Sequence, residues 1–248
     1  MIQARTGSNR LHGKVLELIE NKPMIWHVIN RVKRISNVKQ IILITTKKEE
    51  DKKLQNIAKE LDILNFQGDE NDVLNRHYQC ALEFKAGPII RITGDCPLVD
   101  PSLVDSILEF FLAHEYDYVS NTINPTFPDG LDTEIFSFKT LEKCAKNADL
   151  PSEREHVTSY IINHPNEFKI FNYENQTNLS SLRWTVDKEL DLDFVRKVYD
   201  KMSPSLDFSS NEVLKMLDQN PDLSNINKGI QRNEGWEHSL KFDKIKKK

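Results

Sequence analysis

Pro88-Ile89-Ile90-Arg91-Ile92-Thr93-Gly94-Asp95-Cys96-Pro97-Leu98-Val99-Asp100-Pro101 passes from a β-branched apolar run, through Gly and Asp, to a proline that opens a helical pattern. A short apolar strand, a turn and a helix form the repeating unit of a parallel sheet. That reading puts Asp95 just past the carboxyl end of a strand, where open α/β sheets place their ligands. Asp95 also has a purely local reading as a turn-former before Pro97, whereas Asp100 reads as the N-cap of the helix starting at Pro101.

The same alternation extends through residues 1 to about 120. Further strands are predicted at Met1 to Ala4, Gln40 to Thr46, Ile63 to Gln67 and Tyr116 to Ser120. Between them, Pro23 reads as a first-turn helix residue, and Ile25, Val28, Ile29, Val32 and Ile35 repeat at helical spacing. More helices are expected near Glu49 to Leu61, through Val73, Leu74, Tyr78, Ala81 and Leu82, and through Leu103, Ile107, Leu108 and Phe111. The fold class is therefore α/β, with a mostly parallel central sheet flanked by helices.

The rhythm breaks after residue 120, where Asn124 to Gly130 is rich in Pro, Asn and Gly and reads as a loop. A strand from Leu131 to Phe138, two short helices, and strands at Phe168 to Tyr173 and Leu182 to Val186 are expected next. A helix holding Leu192, Val195 and Val198 follows, then one more helix and a polar tail. The expected organisation is one domain over 1–248, with 121–180 an excursion and 203–248 a helical tail.

The 248 residues carry 34 Lys+Arg against 38 Asp+Glu, a formal charge of -4, which gives no global attraction to nucleic acid or anionic membrane. The dense positive run Lys244, Lys246, Lys247, Lys248 reads as a solvated terminus. No apolar run reaches bilayer length and no signal pattern opens the chain. Cys80, Cys96 and Cys144, three in number and widely spaced, fit neither a disulfide framework nor a metal cluster, and point to a reducing cytoplasm. The Asn175-Gln-Thr and Asn178-Leu-Ser sequons then read as chance matches.

Two more stretches bear on chemistry. Gln3-Ala4-Arg5-Thr6-Gly7-Ser8-Asn9-Arg10-Leu11-His12-Gly13-Lys14 runs from a strand end into a basic, Gly-containing loop. Gly7 permits close backbone approach to phosphate, exposed N–H groups bind its oxygens, and Arg5, Arg10 and Lys14 can neutralise a triphosphate. It is not a Walker A loop, because the Gly spacing is wrong and Val15 follows the Lys. Leu182-Arg183-Trp184-Thr185-Val186-Asp187 ends in a second acid, and Asp95 with Asp187 can hold one or two cations that bridge nucleotide phosphates. Asp191 and Glu189 read as helix-start acids, Cys96 as a buried small residue, and Trp184 as packing.

These three motifs, in this order, resemble the cytidylyltransferase family that includes CMP-sialate and CMP-Kdo synthetases, and especially the branch named after spore coat polysaccharide biosynthesis protein F. The resemblance extends to Gly68-Asp-Glu-Asn-Asp-Val-Leu-Asn-Arg76, Asp129-Gly-Leu-Asp-Thr-Glu134, Ser152-Glu-Arg-Glu-His-Val-Thr158 and Arg232-Asn-Glu-Gly235. It departs from the family in a short first strand and in His12, which stands where Pro is usual. The resemblance implies a Rossmann-like nucleotide-diphospho-sugar transferase fold and transfer of CMP from CTP to an acidic sugar with release of pyrophosphate. It further implies that Arg5, Ser8, Arg10 and Lys14 bind CTP phosphates, that Asp95 and Asp187 bind Mg²⁺, that Arg76 lies near the nucleotide, and that the protein is a homodimer with 121–180 its acceptor-binding or dimerisation region.

Nucleotidyl transfer needs an acceptor oxygen in line with the α-phosphorus and cations that offset charge on both sides. Lys14, Arg10 and Asp95 are accordingly the expected catalytic residues. For the acceptor, Arg154 and His156 are candidates to read a carboxylate, and Asp129 and Glu134 to accept sugar hydroxyls. Local readings stand beside these: Asp129-Gly130 as a turn pair, Ser152 with Glu155 as a capping box, and His156 as a packed helix histidine. A glycosyltransferase that consumes a nucleotide-sugar shares the architecture, but such enzymes commonly carry an Asp-x-Asp pair where this chain has a lone Asp95.

Overall fold

The computed structural model describes residues 1–8, 10–241 and 243. Asn9 of the basic loop and the Lys244 to Lys248 tail lie outside the described residues. The first half alternates as the sequence predicts, through β1 (Ile2–Gln3), a hairpin of β2 (Leu18–Ile19) and β3 (Lys22–Pro23), and α1 (Met24–Val32). It continues with β4 (Ile42–Thr46), α2 (Lys52–Glu60), β5 (Leu64–Gly68), α3 (Val73–Glu83), β6 (Ile89–Thr93), α4 (Pro101–Ala113) and β7 (Tyr118–Ser120). The second half adds β8 (Glu134–Phe136), α5 (Phe138–Asn147), α6 (Pro151–Glu155), α7 (Ser159–Asn163), β9 (Ile170–Asn172), α8 (Glu189–Met202), α9 (Ser210–Gln219) and α10 (Glu234–Leu240).

One mixed sheet runs in the order β5-β4-β1-β6-β8-β7-β9. Strands β5, β4, β1 and β6 are mutually parallel, with Ile2 in register with Leu43 on one side and Ile92 on the other. Strand β4, Ile-Leu-Ile-Thr-Thr, lies inside the sheet and is buried at every position, so its apolar residues face helices on both sides. The helical stripe of α1 supplies Met24, Ile25, Val28, Ile29 and Val32 to that core. Strand β8 enters antiparallel between β6 and β7, and a second core of Leu74, Tyr118, Phe136, Leu141 and Ile161 forms beneath it. Among the described residues no helix is long and apolar enough to cross a membrane.

Several boundaries differ from expectation for local reasons. Pro23 precedes α1 with extended backbone because it pairs with Leu18 in the β2–β3 hairpin. The strand expected from Leu131 to Phe138 shrinks to Glu134–Phe136, since Ser137 caps α5 by accepting from Thr140 N. Three helices, not two, follow it. The segment Leu182 to Val186 is no sheet strand: it makes a single bridge, Arg183 with Asp129, and is otherwise held by loop carbonyls. The tail also contains α10, whose seven residues Glu-Gly-Trp-Glu-His-Ser-Leu are too short to display a period.

The loop after β1 is fixed by a buried acid. Asp51 accepts from Thr6 N and Thr6 Oγ1, both at 2.7 Å, and from the Thr46 hydroxyl, tying the loop base to the end of β4. Burial pushes its carboxyl up, but these hydroxyl and amide donors hold it below the ordinary value. Asp51→Ala leaves buried donors unpaired, which costs about 3 kcal/mol and lowers Tm by roughly 6–10 °C in calorimetry. Because the folded pKa is depressed, this contribution is complete above the ordinary carboxylate range and disappears as pH falls through the folded value.

Candidate active site

The polypeptide around Asp95 and Asp187 explains how two acids distant in sequence meet. Val186 N donates to Asp95 O at 2.9 Å, and Thr185 Oγ1 donates to the same carbonyl at 3.2 Å. The two segments thus cross backbone to backbone just past the carboxyl end of β6. Gly130 lets a third segment in: at φ +107° a Cβ there would meet Thr185 N at 2.5 Å, so Asp129 can lie against Arg183 only if its neighbour is glycine.

Lys14 stands between the acids. Its Nζ is 2.8 Å from Asp95 Oδ2, 2.7 Å from Asp187 Oδ1 and 2.7 Å from Val186 O. Burial pulls the ammonium pKa down, but Asp95 and Asp187 outweigh it and the pKa is raised. Arg10 adds a second cation to Asp187, with Nη2 to Oδ1 at 2.6 Å. Burial pushes Asp187 up, and Lys14 and Arg10 nevertheless hold its carboxyl well below the ordinary range. Gly13, in the left-handed region at φ 71°, reverses the loop so that its N–H donates to Thr6 O and Lys14 turns inward.

These groups line a cavity of about 1000 Å³. Arg5, Ser8, Arg10, Lys14, Asp95 and Asp187 face it together, as do Asp129 and His156. A second cavity of about 780 Å³ shares Arg5, Arg91 and His156 with the first and also holds Gly7, Arg76 and Arg154. Arg76 is almost wholly buried and donates to Asp69 O, while burial and Arg5 lower its pKa to about 10. Its stem packs so tightly on Gly68 that a Cβ there would sit 2.6 Å from Arg76 Cγ.

The four expected acceptor residues divide. Asp129 is buried with Arg183 Nη1 2.8 Å from Oδ2, and burial together with Asp132 raises it to about 7 against Arg232 and Arg183. His156 donates to or accepts from Ser239 Oγ at 2.9 Å, and burial lowers its pKa. Glu134 is engaged by Arg91, by Tyr118 OH at 2.7 Å and by the Thr158 hydroxyl, so it braces the sheet. Arg154 forks onto the N-cap acid of α3, with Nε 2.9 Å from Asp72 Oδ1. The capping box expected at Ser152 and Glu155 is absent: Leu150 stands at the N-cap and Glu153 supplies the acid. Ser152, fully buried, instead gives N–H and hydroxyl to Asp243 at 2.9 and 2.6 Å.

Several site residues escaped the sequence reading. Arg91 and Asp132 line the cavity, and Arg183 ties Asp129, Asp187 and Asp191 together. Arg91, Asp132 and Arg183 lie within the motifs, but where each side chain points depends on contacts with segments distant in sequence, strand register for Arg91 and the bridge to Asp129 for Arg183. Of helix α10 only Glu234 and Gly235 fall within a block of the resemblance, and its seven residues show no helical period. Asp100 caps α4 as expected, accepting from Ser102 N at 2.9 Å, and Cys96 is a buried thiol that burial pushes well up.

The donor set suits a divalent cation. Asp95 and Asp187 already converge on one cation, the Lys14 ammonium, and Mg²⁺ takes one or two carboxylates and completes its shell with water and substrate phosphates. Among the described residues no cluster of three or more acidic, His or Cys side chains offers a full protein cage.

A cytidylyltransferase family model matches residues 1–229. Spore coat polysaccharide biosynthesis protein SpsF of Bacillus subtilis (strain 168) is 30% identical over 233 residues, covering 90% of this chain and 95% of that protein. A 3-deoxy-manno-octulosonate cytidylyltransferase 2 of Hydrogenovibrio crunogenus is 30% identical over 121 residues, 47% of each chain. The solved structure of a cytidylyltransferase from Leptospira borgpetersenii serovar Hardjo-bovis superposes with a TM-score of 0.88 at 31% identity, covering 93% of this chain and 97% of that one.

Proposed function

The chain belongs to the cytidylyltransferase family, and from that premise we propose that it transfers CMP from CTP to an acidic sugar, nonulosonate or Kdo-like, with Mg²⁺ and release of pyrophosphate. The observation that carries the reading is the convergence of Arg10, Lys14, Asp95 and Asp187 on one wall of a polar cavity at the carboxyl edge of the sheet. Arg5, Ser8 and Arg10 line that wall and supply donors to the triphosphate; Lys14 carries a buried positive charge to where the leaving pyrophosphate gathers negative charge. Gly7 and Arg76, in the adjoining cavity, flank the rest of the nucleotide. Asp95 and Asp187 would hold Mg²⁺, which when bound offsets phosphate charge and lowers the pKa of the acceptor hydroxyl. Asp129 and His156 are the two expected acceptor residues that open on the same cavity. Glu134 and Arg154 serve it by holding Arg91 and α3 in place.

The proposal includes a cytoplasmic homodimer built from one domain, with 121–180 as the acceptor-binding and dimerisation region. The test is pyrophosphate release from each of the four NTPs with Mg²⁺ and a panel of acidic sugars. Release with CTP alone, dependent on one acceptor, is the expected result; equal release with UTP or GTP overturns the nucleotide assignment, and consumption of a CMP-sugar in place of its formation overturns the reaction class.

A further inference from the structure

Helix α10 lies beyond residues 1–229 that the family model matches, yet it forms a whole wall of the larger cavity, from Asn233 to Lys241. At one end it rests on the phosphate loop: a Cβ on Gly235 would be 2.6 Å from Arg10 Nη1, and Glu234 pairs with Lys188 at 2.8 Å. At the other it is fixed to α6 and α7, by Ser239 Oγ to Glu155 Oε2 at 2.8 Å and Trp236 Nε1 to Ser159 Oγ at 3.3 Å. The helix therefore bridges the phosphate end of the cavity and the wall where the acceptor residues lie.

The charges lining that cavity single out one group. Arg5 pairs with Glu70, Arg10 and Lys14 with Asp187, Arg91 with Glu134, and Arg183 with Asp129 and Asp191. Lys241 is exposed on the same wall, and among the described residues no acid pairs with it. The groups expected to meet a carboxylate are otherwise engaged: Arg154 is locked on Asp72, and His156 faces Ser239. From Gly235 to Lys241 a helix advances about 9 Å, which a monosaccharide and the lysine stem span together.

We propose that α10 selects the acceptor and that Lys241 pairs with the carboxylate of the sugar whose hydroxyl receives CMP. This rests on the CMP-transfer reading above. A charge-assisted contact at an exposed site corresponds to roughly tenfold in affinity.

The experiment compares, for the full chain with CTP and Mg²⁺, the acidic sugar giving most pyrophosphate release and its carboxamide. Wild type is expected to show a KM about tenfold lower for the acid. Lys241→Ala should raise the acid's KM about tenfold, leave the KM for CTP and the carboxamide's KM unchanged, and so erase the preference, with Lys241→Arg restoring most of it. Wild-type turnover with the acid preference intact in Lys241→Ala overturns the role of Lys241 alone, as does a wild type indifferent to the carboxamide. No release from CTP with any acidic sugar in folded wild type overturns the CMP-transfer reading and this inference together.

Discussion

Asp95→Asn is expected to lower CTP-dependent pyrophosphate release by about a thousandfold or more, the scale on which removing one preorganised charge from a transfer centre acts. The substitution keeps the size of the side chain and removes the negative charge. Its Oδ2 is one of two carboxylate oxygens that meet at Lys14 Nζ, at 2.8 Å, so an amide there both weakens a Mg²⁺ site and leaves the ammonium with Asp187 as its acid partner. Folding changes little, because the structural bonds at this position come from the Asp95 carbonyl, which accepts from Val186 N and Thr185 Oγ1 whatever the side chain. Single-turnover pyrophosphate release across a Mg²⁺ titration, alongside a melting curve, separates the effects. A large rate loss with Tm within about 2 °C of wild type is expected, a shift of no more than about 1 kcal/mol. Unchanged turnover with CTP would refute the metal role.

The first half of this fold is legible because most of its strands carry short apolar runs and its helices carry stripes: β4 is buried throughout, and the stripe predicted from Ile25 to Ile35 packs into the core, its last member just past the end of α1. The Asp100 cap is legible for the same reason, since its partners are two and three residues away. What fails to read is long-range. Leu182 to Val186 alternates like a strand, but its partners are the Asp95 and Asp129 carbonyls, more than fifty residues distant, and no local pattern encodes them. Arg154 looks available in sequence until α3 brings Asp72 beside it. In the loop, Arg10 and Lys14 announce an anion site, but that two acids would hold Lys14 inward depends on the crossing of Val186 over Asp95. Helix α10 does not read as a helix, although Glu234 and Gly235 sit in a resembling block, because the anchors of this segment, Ser152 to Asp243 and Ser239 to Glu155, are polar contacts across roughly eighty to ninety residues and bury little apolar surface.

Arg183→Ala is the substitution expected to damage stability most. Arg183 is 8% exposed. Its guanidinium reaches Asp191 at 2.9 Å, Asp129 at 2.8 Å and Asp187 at 3.3 Å, and Asp191 in turn accepts from Asp187 N, Lys188 N and Asn227 Nδ2 at 3.0 Å each. Although burial opposes it, these acids, Asp191 foremost, hold the Arg183 pKa above its ordinary value. Removing the cation leaves buried carboxylates facing one another, a loss of about 3–5 kcal/mol and roughly 10–15 °C in Tm. Lysine should rescue only part, since one ammonium cannot reach three acids in the planes a guanidinium serves. The deficit also has a pH signature. Asp129 stands at about 7 even with Arg183 present, against 3.8 unpaired, so the folded state binds more protons than the unfolded one between those values and stability falls as pH rises through the window. Loss of the guanidinium pushes Asp129 higher and deepens that fall. Urea unfolding of Arg183→Ala should therefore show a smaller deficit at pH 5 than at pH 8; a deficit equal at both would mean that lost packing, not unpaired charge, is what Arg183 prevents.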